Sequence, residues 1–283
     1  MPLVDVLIPT YRRKTGLAMV LTSLIGQTAK GFDVIVSDQT DESESYLESP
    51  EIQAAKQALE WRGRDVRLLR NLPRRGLAQQ RQFLLEQSDA KYVHFLDDDV
   101  ILEPDVMARM LDVIRSEGCA FVGAAATGLQ FLGDWREARK TVEPWVGPVT
   151  AEPFEPDTVP WERHKVNNAA NPVHLEQELV VNGQTVRDKV AWVGGANVIY
   201  DREKLLSVGG FSFWERLPAE HAGEEAVVQF MLVRKYGGCG VLPSGTYHVG
   251  LPTSVPDRET NATQLFGELI AQQEATESRP AAK

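Results

Sequence analysis

The sequence has 283 residues, 43% hydrophobic and 25% charged, which suits one large α/β domain and excludes a disordered or fibrous chain. A formal net charge of −10 argues against a nucleic-acid binder, which needs a basic face. No apolar run reaches the ~18 residues that cross a bilayer, and the start lacks a signal-peptide pattern. Cys119 and Cys239 have no metal-ligand spacing and read as buried free thiols, so a cytoplasmic location is expected.

The first 125 residues alternate short apolar runs with helical stripes. Strands are expected over 3–8, 32–37, 66–69, 92–96 and 120–124. Between them, Leu17, Val20, Leu21, Leu24 and Ile25 form one helical stripe, and Val106, Met107, Met110, Leu111 and Ile114 form another after Pro104. Ser49-Pro50 starts a helix running to about Trp61, and a further helix covers 76–87. Strands alternating with helices imply a mainly parallel, Rossmann-like sheet with both faces covered. From 128 to 189 the pattern turns irregular, with Trp135, Trp145 and Trp161 among many prolines, as in a functional loop or lid. These tryptophans either stack on a sugar or anchor the loop. Regular structure is expected again at 190–193, in a helix from Glu224 to Tyr236, in a strand at 240–242 and in an amphipathic helix within 257–275. A disordered tail follows.

In open parallel sheets, ligands bind beyond the carboxyl ends of the strands, so the residues there are candidates. The first strand is followed by Pro9, Thr10, Tyr11 and Arg12, the second by Asp38, and the third by Asn71, Arg74, Arg75 and Gly76. After the fourth come Asp97, Asp98 and Asp99, of which the outer two face one side in extended backbone. Carboxylates ~5 Å apart repel by ~3 kcal/mol at an effective dielectric near 20, a cost that a divalent cation removes. Oxygen donors favour magnesium or manganese. Arg81 falls on the apolar stripe of its helix and needs an anion there: Asp97, Asp38 or a ligand phosphate. Arg12, Arg13 and Lys14, with Arg70, Arg74, Arg75 and Arg81, make local basic clusters suited to a small anionic ligand. In the second half, Gly194-Gly195-Ala196-Asn197 permits close backbone approach, and Glu224-Glu225 opens a helix where the macrodipole favours carboxylates. His248 follows the last core strand.

This pattern resembles the family-2 inverting glycosyltransferases with the GT-A fold, from Val4 to about His248. Val6-Leu7-Ile8-Pro9-Thr10-Tyr11-Arg12 is similar to the family's first strand and nucleotide loop, and Ile35-Val36-Ser37-Asp38-Gln39-Thr40 to its second. The resemblance implies that Asp38 accepts the imide N–H of uracil, and that Asn71, Gly76 and Arg81 belong to the segment closing on the nucleotide. Phe95-Leu96-Asp97-Asp98-Asp99 resembles the DxD motif, which implies Asp99 as direct metal ligand, Asp97 nearer the ribose, and His248 completing the site for Mn2+ or Mg2+. Gly195, Ala196 and Asn197, with Gly209-Gly210-Phe211, resemble acceptor-side elements. Glu224-Glu225 stands where a Glu-Asp pair supplies the general base, so Glu225 is expected as base with Glu224 second. Ser37, Gln39-Thr40 and Glu225 depart from the more typical Asp, Gly-Ser and Asp.

One GT-A domain is thus expected over 1–255. Its nucleotide-binding half is 1–125, its acceptor-side half is 126–255 with the loop at 128–189, and a C-terminal helix and tail occupy 256–283. The implied activity is metal-dependent, inverting transfer of a hexose from a UDP- or dTDP-sugar to an acceptor hydroxyl. The acceptor could be a carbohydrate, a lipid-linked or a small molecule, reached by peripheral membrane contact if membrane-bound. The alternatives are a sugar nucleotidyltransferase, whose glycine-rich first loop is absent here, and a decayed nucleotide-sugar-binding protein.

Overall fold

The computed structural model describes residues 2–136, 142–255 and 258–277. The tail expected beyond 277 and part of the loop at 128–189 lie outside the described residues. The strands are β1 (Val4–Thr10), β2 (Phe32–Asp38), β3 (Val66–Arg70), β4 (Tyr92–Leu96), β5 (Val100–Leu102), β6 (Phe121–Gly123), β7 (Val186–Asp188), β8 (Asn197–Asp201), β9 (Gly238–Leu242) and β10 (Thr246–His248). Eight of them form one sheet in the order β3-β2-β1-β4-β8-β6-β9-β7, while β5 and β10 pair antiparallel on their own. The run β3-β2-β1-β4 is parallel, and β8 enters antiparallel between β4 and β6. The expected mainly parallel α/β sheet is present.

The helices are α1 (Lys14–Ile25), α2 (Pro50–Trp61), α3 (Leu77–Glu86), α4 (Val106–Glu117), α5 (Asn171–Leu179), α6 (Arg202–Ser207), α7 (Glu224–Tyr236) and α8 (Phe266–Glu277). Alternate strand residues serve opposite faces, as a period of two requires. Val4, Val6 and Ile8 of β1 join Leu17, Leu21, Ile52, Leu59, Met107 and Met110 of α1, α2 and α4 in one core. Leu7 joins Ile35, Leu84, Leu85, Phe95, Val227 and Phe230 on the other face, where α3 and α7 pack.

The second half holds two corrections. Residues 190–193 are not a strand, and the Gly194-Gly195-Ala196 stretch precedes a strand, β8, rather than following one. Val190, Ala191 and Val193 are apolar because they are buried beside α7, and the Val193 N–H is met by the Gln229 side chain instead of a ladder. Within the irregular stretch, α5 begins at Asn171-Pro172: the proline sits in the first turn, where its missing N–H costs nothing. Trp161 anchors this region against Trp192, Phe230 and Phe266. Trp145 packs on the first core, and Trp135 stacks on His174 with centroids 3.7 Å apart. Both cysteines are buried free thiols.

Candidate active site

The aspartate triplet leaves β4 in three directions. The Asp97 N–H donates to the Ala196 carbonyl (3.0 Å), and its Oδ1 accepts from Arg81 Nη2 (3.0 Å). Asp98 is buried, with Oδ2 accepting from the Thr10 hydroxyl (2.6 Å) and Oδ1 from Arg13 Nη1 (3.2 Å). Asp99 Oδ2 accepts from the same Arg13 nitrogen and lies 3.4 Å from His248 Nε2. That approach follows from the β5–β10 pairing, which sets His248 opposite Val100, one residue beyond Asp99. Burial pushes Asp98 up to about 7, and burial followed by the charge of Asp97 raises Asp99. Among the described residues, no three His, Cys, Asp or Glu side chains converge as a finished metal cage.

Asp97 and Asp99 line a cavity of about 270 Å3 together with Arg13, Arg81, Gly195, His221, Glu224, Glu225 and His248. Arg81 is fully buried at its centre, between Asp97 and Glu224 Oε1 (3.2 Å from Nε) and over the Phe95 ring. Burial opposes its charge, but Asp97, Glu224 and Glu225 more than offset this. Asp38, one of the partners allowed by sequence, is not used. Glu224 is also buried, 3.9 Å from His221 Nε2, while Glu225 is half-buried and free of Arg81's hydrogen bonds. Burial, then the neighbouring Glu224, pushes Glu225 up to about 8. His221 is held neutral by burial: its Nε2 accepts the Ala78 N–H and its Nδ1 donates to the Pro218 carbonyl, so it ties the entry of α7 to the start of α3.

A second cavity of about 80 Å3 adjoins the first and is lined by Pro9, Thr10, Tyr11, Gln39, Arg74, Gly76, Gln80, Asp97 and Asp98. Gln80 fixes the ends of β1 and β2 by donating to Thr10 O and Ser37 O (3.0 and 2.7 Å). Arg74 lies over the Tyr11 ring, 4.3 Å from its centroid. Asp38 is not brought to either cavity. It is fully buried, with Oδ1 accepting the Thr40 N–H (2.8 Å) and Oδ2 accepting from Arg70 Nη1 (2.5 Å). Asn71 stands behind it, bonded to Gln79 and Ser37. Arg12 points outward to Asp41 and Glu44, because α1 begins at Lys14 and only Arg13 turns inward. Asn197 also turns from the cavity, to His94 and Thr246, and Ala196 contributes only its backbone. Sequence reasoning gave Gln39 and Gln80 no individual role and read His221 as structural; it missed the specific role of Arg13 and the segment 251–255, which lines the larger cavity and, through Ser254 and Val255, the smaller. The basic cluster at 12–14 was the one signal for Arg13.

The sequence profile of the family described as "Glycosyl transferase family 2" matches residues 5–165, more than half of the chain. The chain belongs to this family. An uncharacterized glycosyltransferase of Haemophilus influenzae is 28% identical over 113 residues, 40% of this chain and 35% of that protein. Among solved structures, S. aureus TarS 1–349 in complex with UDP-GlcNAc aligns with a TM-score of 0.59 at 13% identity, over 99% of this chain and 68% of that one. GalNAc-T7 with UDP, GalNAc and Mn2+ aligns at 0.58 and 13% identity, over 96% and 48%. The chain thus has the GT-A architecture, and it spans about a third of the curated relative and 40% of a longer TarS chain. Among the described residues, no helix is long and apolar enough to cross a membrane.

Proposed function

We propose that this glycosyltransferase moves a hexose from a nucleoside-diphosphate sugar, UDP- or dTDP-linked, onto an acceptor hydroxyl with inversion, in one domain over residues 1–255. The observation that carries the reading is the division of labour in the larger cavity. Arg81 ties down Glu224, and Glu225 remains as a carboxylate without that ion-pair bond, lining the same cavity as the Asp99–His248 pair. An alcohol is a poor nucleophile at neutral pH, so attack on the anomeric carbon needs a base beside it. Glu225 accepts that proton in its ionised form, and its raised pKa makes it a stronger acceptor than an ordinary glutamate. Glu224 and Arg81 act on it through their charges, the first raising and the second lowering its pKa.

The donor lies along the smaller cavity in this reading, with Asp97 nearer the ribose and Tyr11 and Gln39 toward the base. UDP-GlcNAc in TarS, and UDP with Mn2+ in GalNAc-T7, are the species seen in proteins of this fold, and support a nucleotide-sugar here. The donor set at Asp99 fits a hard divalent cation: a buried carboxylate oxygen and an imidazole nitrogen 3.4 Å apart, with Asp97 on the same cavity wall. Asp99 and His248 would hold Mn2+ or Mg2+, and what the ion supplies when bound is Lewis-acid stabilisation of the leaving diphosphate. Free buried thiols fit a reducing, cytoplasmic setting.

The test follows the leaving group. Incubation with UDP-sugars and Mn2+ is expected to release UDP, and Glu225→Gln to stop that release while still binding UDP. Pyrophosphate release from a nucleoside triphosphate and a sugar phosphate would overturn the reading in favour of a nucleotidyltransferase.

A further inference from the structure

We propose that Arg13 is a positioning residue that fastens the strap 249–255 over the active site, and that a divalent cation entering at Asp99 displaces it, so that cation binding and strap opening are one event. The proposal rests on the reading of Asp99 and His248 as cation ligands and adds what their occupation does to the rest of the site.

Two fastenings hold the strap, one on a carboxylate oxygen that the cation needs and one on the far nitrogen of the imidazole that it would ligate. Arg13 reaches from the start of α1 to three acceptors on two segments: Asp98 Oδ1 at 3.2 Å, Asp99 Oδ2, and the Pro252 carbonyl at 2.6 Å. Asp99 Oδ2 is the oxygen that faces His248 Nε2. A guanidinium and a divalent ion cannot both sit on that oxygen, because they compete for its lone pairs and repel each other. When Arg13 leaves Asp99, its reach to Pro252 is disturbed with it. The second fastening is the Gly250 N–H, which donates to His248 Nδ1 at 3.0 Å. A neutral imidazole that ligates through Nε2 carries its proton on Nδ1. Nδ1 then becomes a donor facing another donor, and that bond is lost.

The hinge is already built. The Val249 N–H stays on the Asp99 carbonyl (2.8 Å), while Gly250 has φ of +79°, a conformation that favours glycine and lets the following chain swing. Beyond it, Leu251, Thr253, Ser254 and Val255 line the larger cavity, and Ser254 and Val255 also close the smaller one. At about 80 Å3 the smaller cavity is well below the ~300 Å3 at which small-molecule sites begin. Moving the strap is what makes room for a nucleotide, so the cation admits the donor as well as binding it.

The experiment uses nucleotide-free protein and Mn2+ alone, with two readouts: calorimetric Mn2+ affinity, and amide hydrogen exchange of the peptide covering 249–255. In the wild type, Mn2+ is expected to speed strap exchange about tenfold. Arg13→Gln should exchange at that faster rate without Mn2+ and bind Mn2+ about tenfold more tightly, since its competitor is gone. Arg13→Lys keeps a charge near Asp99 but cannot span to Pro252 as well. Its strap should open while its Mn2+ affinity stays closer to wild type, and it carries the test if Arg13→Gln does not fold. Mn2+ binding with no change in strap exchange, or equal Mn2+ affinity in Arg13→Gln and wild type, overturns the latch alone. Absence of Mn2+ binding in all three proteins overturns the latch and the cation reading together.

Discussion

Glu224 and Glu225 stand ~100° apart around the first turn of α7, and Arg81 reaches only the first. Removing a general base lowers turnover by roughly 10²–10⁴-fold with donor binding nearly intact. Glu225→Gln is expected to behave this way in single-turnover transfer; a dead Glu224→Gln beside a normal Glu225→Gln would reverse the roles. Burial raises Glu225 from an ordinary value of 4.5 to about 8, so kcat/KM should climb as pH rises through about 8 and its carboxyl ionises. Stability moves the other way. Between 4.5 and about 8 the folded state binds more protons at this site than the unfolded state, so unfolding free energy falls as pH rises. At pH above 8, Glu225→Gln should therefore melt higher than wild type, and a lower melting point there would mean that the buried charge is better satisfied than its surroundings suggest. The base end carries a separate expectation. Asp38 is fully buried with Thr40 on one carboxylate oxygen and Arg70 on the other, so it meets the imide N–H of uracil or thymine only when that pairing opens. Competition among UDP, dTDP, GDP and ADP should favour the first two, and a preference for ADP would remove Asp38 from any part in base choice.

At the scale of elements, Arg81 fastens three of them: α3 on which it sits, the end of β4 through Asp97, and the start of α7 through Glu224. Removing one partner from a buried charged group costs ~3–5 kcal/mol, because the others are left uncompensated. Arg81→Met should lower the melting point accordingly and abolish transfer. Gly195→Ala probes the same cluster from outside, since an added Cβ would collide with Arg81 Nη2 and press toward Glu225 Cγ. A near-wild-type Gly195→Ala would show that Arg81 has room to yield. Elements built on a strong period were legible in the sequence, among them β1 to β4, α1, α2, α4 and α7. Those whose residues answer to tertiary neighbours were not. The run at 190–193 is apolar through packing under α7, not through a ladder, and β8 was hidden behind it. The strands β5 and β10 have three residues each, too few to show a period, yet their pairing brings His248 to Asp99. Which of Arg12 and Arg13 turns inward depends on where α1 starts, and whether Asp38 is sealed depends on Arg70 reaching it. Neither is written in local sequence.

Across the whole molecule, the nucleotide-side and acceptor-side halves are interleaved. The edge of β4 is closed by β8, Arg81 from the first half is satisfied by Glu224 from the second, and the paired donors Asp99 and His248 lie far apart in the chain. A fragment ending at residue 125 would expose the edge of β4 and leave Arg81 without Glu224. The larger cavity carries Asp97, Asp99, Glu224 and Glu225 against Arg13, Arg81 and Arg258, in a protein of net charge −10, and Arg13 and Arg81 are already paired with carboxylates. A diphosphate entering such a site finds Arg13 and Arg81 already held by carboxylates, and a cation entering with it supplies the missing positive charge. UDP affinity measured by calorimetry should therefore fall at least about tenfold, or about 1.4 kcal/mol, when Mn2+ is replaced by chelator. Asp99→Asn should bind UDP weakly and equally in both conditions, having lost the charged ligand. His248→Gln should keep a smaller dependence, since the carboxylate remains. Equal wild-type affinity with Mn2+ and with chelator would mean that the positive charge comes from the protein itself, with Arg13 the residue in place to supply it, and the assignment of Asp99 as a metal ligand would fall.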